Sequence, residues 1–166
     1  MNGTAAGQRN VSGASASPRY PFGAVGVGER AYRAGMTTHF AAVGLVAQDM
    51  AETLEFYRLL GVDVPASADG EAHVDALLPG GVRLMWDTEQ AVRSLDPDWS
   101  PPTGGRRVAL AFDCGAPADV DSTYRMLTAA GHRGSSEPWD AFWGQRYATV
   151  LDPDGNPVDL FAALDG

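Results

Sequence analysis

Few side chains in this sequence are placed to do chemistry, and the best placed is one carboxylate. Asp159 lies between Val158 and Leu160, just after the run Asp152-Pro153-Asp154-Gly155-Asn156. A carboxylate there can ligate a metal, act as a general base, or hold an organic cation. Arg83 sits in a matching setting, between Val82 and Leu84, with Met85 two residues on. There are three histidines, and no two have metal-ligand spacing. His39 and His132 read as surface or structural residues, whereas His73 lies on a strand-like run whose face can reach a cavity. Cys114 is alone, which excludes a disulfide framework and a thiolate metal cluster. Rings gather in Trp139-Asp140-Ala141-Phe142-Trp143, with Tyr147 and Phe161 close by in sequence. Flanked by Pro138 and Gly144, this segment reads as a loop, and aromatic walls on loops suit flat or cationic ligands.

The elements that must position these groups can be read from punctuation and period. Pro153 presets φ and Gly155 tolerates φ > 0, so the Asp152–Asn156 run is a turn. Strand-favouring runs, Tyr147–Leu151 and Val158–Phe161, flank it, which makes a β-hairpin. Upstream, Phe40–Ala47 is strand-like. Asp49 and Glu52 form a capping box for a helix through Leu60 that ends at Gly61. Val62–Val64, Ala72–Leu78 and Val82–Trp86 read as three more strands, the last two joined at Pro79-Gly80-Gly81. Residues 88–105 carry Asp-Pro, Trp-Ser-Pro-Pro and Gly-Gly, the chemistry of a linker. Arg107–Cys114 then reads as a strand, Ala118–Ala130 as a helix ended by Gly131, and Arg133–Trp139 as a short strand or loop. The order repeats: Tyr57-Arg58 is echoed by Tyr124-Arg125, and Val82-Arg83-Leu84 by Val158-Asp159-Leu160.

Strand parity sorts the side chains into two faces. Asp159 and Phe161 share one face and Arg83 and Met85 another. Phe40, Ala42 and Gly44 oppose Ala41, Val43 and Leu45, and Arg107, Ala109 and Ala111 oppose Val108, Leu110 and Phe112. One face of each strand is bulky and apolar and belongs under helices. The other mixes small residues with charges, as a ligand cavity does.

Composition narrows the partners. The formal charge is −9, and all 12 basic residues are arginine. An acidic chain is a poor partner for nucleic acid or an anionic membrane. Residues 1–35, rich in Gly, Ala and Ser with four arginines against one glutamate, read as a disordered tail. Residues 36–166 keep 20 of the 21 acids and 8 of the 12 arginines, a formal charge of −12. Gly23–Gly28 resembles a phosphate loop but lacks the preceding strand and the Lys-Ser/Thr. Met36 offers an alternative start of translation. No apolar run reaches membrane-spanning length and no secretory signal core is present, so a cytoplasmic location is expected.

Two motifs in order, Phe56-Tyr57-Arg58-Leu59-Leu60-Gly61 and Asp152-Pro153-Asp154-Gly155-Asn156-Pro157-Val158-Asp159-Leu160, resemble the vicinal oxygen chelate superfamily. That group includes glyoxalase I, extradiol dioxygenases and bleomycin-resistance proteins. The resemblance implies an α+β fold of two β-α-β-β-β modules, about 38–87 and 106–163, curving mixed sheets around a cup. It implies four metal-ligand positions, which fall on Ala42, Arg83, Ala109 and Asp159. Alanine has no donor and arginine carries a fixed positive charge, so no metal and no other cofactor is expected. Arg83 and Asp159 then either pair across the cup or bond elsewhere. The resemblance is nearest to the metal-lacking, antibiotic-binding members. It implies a homodimer with no catalytic residue that binds a small aromatic or cationic molecule through Arg83, Met85, Asp159, Phe161, Phe142, Trp143 and His73. The alternative it leaves is a glyoxalase-like lyase, isomerase or dioxygenase with a displaced metal site, or a metal-independent catalyst using Asp159, Arg83 or His73.

Overall fold

A computed structural model describes residues 39–103 and 107–164. The expected tail, the glycine-rich stretch 23–28 and Met36 lie outside the described residues. The first sheet combines β1 (Ala42–Ala47), β2 (His73–Leu77) and β3 (Arg83–Thr88) in the order β1-β3-β2. β1 runs parallel to β3, and β2 antiparallel. The second sheet has the order β4-β7-β6-β5, from β4 (Leu110–Asp113), β5 (Gly134–Ala141), β6 (Gln145–Leu151) and β7 (Pro157–Ala163). Here β4 is parallel to β7 and the rest antiparallel. With helices α1 (Met50–Leu59), α2 (Glu89–Leu95) and α3 (Pro117–Ala129), this is an α+β fold of two mixed sheets.

Local chemistry explains the helices. The Asp49 side chain accepts the Glu52 N–H at 3.1 Å, satisfying one orphan donor at the start of α1. The chain leaves at Gly61, whose φ of 84° an L side chain resists. Met50, Thr53, Leu54, Phe56 and Tyr57 form its buried stripe. α3 begins with Pro117 in its first turn and ends before Gly131.

Five sequence expectations need correcting. Val62–Val64 joins no sheet, although Val62 and Val64 are buried. Its backbone groups are bonded elsewhere: the Val62 N–H donates to the Tyr57 carbonyl at 3.0 Å, and the Arg58 guanidinium donates to the carbonyls of Val64 (2.7 Å) and Pro65 (3.0 Å). The linker 88–105 opens with a helix, α2, capped by the Thr88 hydroxyl accepting the Ala91 N–H. The first strand starts at Ala42 rather than Phe40, and β4 at Leu110 rather than Arg107. Of the two readings of Arg133–Trp139 the strand is the one found, and it is longer than expected: β5 runs on to Ala141 through register shifts between Gly134 and Ser136 and between Ser136 and Trp139.

One continuous core draws on both sheets, α1 and α3, with Trp86, Tyr57 and Phe56 its largest buried side chains. Each such ring contributes roughly 1.5–3 kcal/mol by leaving water. The turn that the sequence marks so strongly is a clamp between the two halves. Asp152, only 4% exposed, accepts the Tyr57 hydroxyl at 2.9 Å and the Asn156 N–H at 2.7 Å. Asp154 accepts the Gln48 N–H at 2.7 Å and the Thr53 hydroxyl at 2.9 Å. Burial, then the Asp152 charge, pushes the Tyr57 phenol far above its ordinary range, so it stays a donor.

Candidate functional site

The expected parity holds. On β7, Val158, Leu160 and Ala162 are buried while Asp159 and Phe161 face the other way. On β3, Leu84 and Trp86 are buried while Arg83, Met85 and Asp87 are not. Each sheet thus has a covered face and an open one, and every candidate on β2, β3 and β7 lies on an open face.

The first sheet's open face is charged and internally paired. Register sets Ala42 beside Arg83 and Gly44 beside Met85. Across the hairpin, His73 lies opposite Asp87, and Asp75 opposite Met85. Arg83 Nη1 donates to Asp75 Oδ2 at 2.9 Å, with the arginine side chain only 12% exposed. His73 Nδ1 lies 2.7 Å from Asp87 Oδ1. Met85 reaches over Gly44, where an added Cβ would meet its methyl at 3.9 Å.

The second sheet's open face sets rings beside the carboxylate of Asp159. Tyr147 lies opposite Phe161 and Thr149 opposite Asp159. Thr149 Oγ1 donates to Asp159 Oδ1 at 2.7 Å. The Tyr147 phenol is pushed up to about 12, by burial first and then by its hydrogen bond to Asp159 and that residue's charge. Trp143 is the hub of the rings, meeting Tyr147 at 5.5 Å, Trp139 at 5.3 Å and Phe142 at 4.9 Å, all edge-on. Its indole N–H donates to Gln145 Oε1 at 2.8 Å. Phe142, at the tip, is 93% exposed. The segment is therefore a hairpin end, not the expected loop: Trp139 belongs to β5, and Gly144 turns the chain at φ 90°.

Of the seven residues singled out from sequence, Asp159, Phe161, Trp143 and Phe142 belong to the second sheet and its hairpin. Arg83, Met85 and His73 belong to the first. The alternative in which Arg83 and Asp159 bond elsewhere is the one realised: Arg83 pairs with Asp75 and Asp159 takes Thr149 and Tyr147. Sequence reasoning missed Thr149, Asp75 and Asp87 as partners. The period of two along β6, and the Pro79–Gly81 hairpin that fixes which residues oppose, were the signals for them.

The ligand positions implied by the resemblance also shift. Register places Ala111, not Ala109, beside Asp159. Either way, the four positions offer two methyl groups, one guanidinium and one carboxylate, which does not fit a divalent ion needing at least three converging donors. Among the described residues no cluster of three or more His, Cys, Asp or Glu side chains could hold a metal. Cys114 is half-buried and burial pushes its thiol up, which makes it a poor nucleophile. A separate polar cleft of about 320 Å³ lies at the seam of the two halves, lined by Glu52, His132, Arg133 and Asp152 among others. No helix among the described residues is long and apolar enough to cross a membrane.

The pattern of the Glyoxalase/Bleomycin resistance protein/Dioxygenase superfamily matches residues 38–160. No curated protein matches the chain by sequence. Similar solved structures include a glyoxalase/bleomycin resistance protein/dioxygenase family enzyme from Burkholderia phytofirmans PsJN, with a TM-score of 0.65 at 20% identity, covering 76% of this chain and 100% of that one. A glyoxalase/bleomycin resistance protein/dioxygenase from Nocardioides gives 0.62 at 28% identity, covering 79% and 87%. A hypothetical protein from S. aureus gives 0.64 at 19% identity, covering 78% and 96%.

Proposed function

The chain belongs to the glyoxalase/bleomycin resistance protein/dioxygenase superfamily, and we propose that within it this protein binds an aromatic or cationic, antibiotic-like small molecule without a metal. One observation carries the reading. Asp159 is a half-buried carboxylate that accepts the Thr149 hydroxyl and faces the Tyr147 phenol, with Phe161 two residues on along the same strand face and Trp143 edge-on to Tyr147. A partly desolvated carboxylate held only by neutral donors gains most from a cation. Rings beside it reward a flat or positively charged one. The first sheet supports the reading by contrast, because Arg83 and His73 each have a carboxylate on their own face. A homodimer and a cytoplasmic location complete the proposal.

The test uses protein purified without chelator or metal-affinity resin. We expect no stoichiometric Ni, Zn, Fe or Mn by elemental analysis, and saturable tryptophan quenching by metal-free bleomycin. A transition metal coordinated by this chain, or quenching that never saturates, overturns the proposal.

A further inference from the structure

The open face of the second sheet has a candidate occupant within the same chain. Residues 1–35 carry four of the 12 arginines and only one acid, against a formal charge of −12 for the remainder. Within that stretch Arg19-Tyr20-Pro21-Phe22 places a guanidinium beside two rings on a proline-stiffened backbone. That is the chemistry Asp159, Tyr147, Trp143 and Phe161 would select in any ligand. A guanidinium over an indole already occurs in this protein, where Arg93 lies 5.2 Å from the centre of the Trp99 ring. Asp113, exposed on the same open face, adds negative charge beside Phe161.

We propose that Arg19-Tyr20-Pro21-Phe22 docks on this face, its guanidinium on Asp159 and its rings against Trp143, so that the arm competes with any ligand from outside. Reach does not forbid it. The arm enters at β1, and Gln48, one residue past β1, bonds Asp154 in the turn that leads into β7. The path from Ala42 through that bond to Asp159 spans eleven residues, six on one side and five on the other. At ~3.5 Å per extended residue, with the hydrogen bond and its side chain adding roughly 6 Å, Asp159 is therefore at most ~45 Å from Ala42. The twenty residues from Phe22 to Ala42 extend to ~70 Å, about one and a half times that bound. The inference rests on the same surface as the proposed function, yet needs no exogenous ligand.

The experiment compares the full chain with its Arg19→Glu/Phe22→Ala variant by NMR of the tryptophan indole N–H groups, and titrates both with metal-free bleomycin. Docking predicts that the Trp143 and Trp139 signals move in the variant while buried Trp86 does not. It predicts that 0.5 M NaCl moves the same two signals in the unaltered chain. Bleomycin affinity should rise about tenfold in the variant. Indoles unmoved by both the variant and salt overturn the docking, as do shifts that scale with protein concentration, which place the arm on a second copy. The two proposals fail differently. Moving indoles with no bleomycin binding sink the ligand reading alone, and equal bleomycin binding with unmoved indoles sinks the arm alone.

Discussion

The two open faces are built on one plan and reach opposite electrostatic outcomes. Arg83 and Asp159 hold equivalent places, each on the strand that follows a hairpin turn and each beside an alanine on a parallel first strand. The first face pairs its own groups: Arg83 bonds Asp75, and His73 bonds Asp87. The second leaves Asp159 on hydroxyls, with Tyr147 and Phe161 on the same face. Repeating a fold therefore does not repeat a site, since affinity for a ligand goes to the face that has not already satisfied its own charge. The helices differ in the same way. Tyr57-Arg58 in α1 ties the halves together and pins the chain at Val64 and Pro65, whereas Tyr124 rests over Gly134 and Arg125 is exposed.

The strongest break of that comparison is a pair of tyrosine substitutions. Tyr57→Phe removes a donor from a nearly buried carboxylate and should cost about 2 kcal/mol in urea unfolding. Tyr124→Phe, whose hydroxyl has no hydrogen-bond partner among the described residues, should cost less than about 0.5 kcal/mol. Equal losses would mean that the clamp is not special to α1. Gly134 should not tolerate alanine, because its Cβ would clash with the Tyr124 ring.

Next in size is the contrast between faces for a ligand. Trp143→Ala should weaken bleomycin binding about tenfold, or ~1.4 kcal/mol, while Met85→Ala on the first face should change it less than about twofold. Matching losses from the two variants would show that both sheets line one site.

Much of this was legible in the sequence, and the rest was hidden for physical reasons. Parity alone placed Asp159 with Phe161 and Arg83 with Met85, because one buried face fixes the register of a strand. The Asp152–Asn156 turn was legible as a turn, and Asp152 does bond nearby backbone at Asn156. Asp154, however, reaches Gln48 and Thr53, more than a hundred residues away, and no local signal reports that. Helix α2 was masked by the Asp-Pro and Pro-Pro steps that follow it, although Thr88 ahead of Glu89 was a capping signal. The sequence at Val62–Val64 is strand-like, with Val62 and Val64 buried, yet its backbone is engaged by the Tyr57 carbonyl and the Arg58 side chain, which no local signal reports.

A subtler test follows from the clamp and acid pH. Burial raises the Asp154 carboxyl above 3.8, partly offset by its bonds from Gln48 and Thr53. An acid whose folded value is raised holds its proton more tightly when native. Its contribution to stability is fullest at low pH and declines as pH climbs through the folded value. The stability of the unaltered chain relative to Asp154→Asn should therefore fall from about pH 4 upward, the reverse of an ordinary salt-bridged aspartate. Urea unfolding of both proteins across pH 3–6 gives the difference, and a rise with pH would contradict the assignment.

The smallest effect bears most directly on why the two faces differ. Tyr147 should titrate at about 12 instead of 10.0, followed by absorbance near 295 nm or by NMR of its ring. Burial is the first cause and the Asp159 contact the second, so Asp159→Asn should bring the value down without restoring 10.0. Because the native phenol keeps its proton between 10.0 and about 12, its stabilising contribution should be complete below 10.0 and vanish as pH rises through 12. Asp75→Asn, on the self-paired face, should leave Tyr147 where it is. Were Asp159→Asn equally silent, the carboxylate would not be touching the phenol. The second face would then lose the one feature, a half-buried charge held by neutral groups, that separates it from the first.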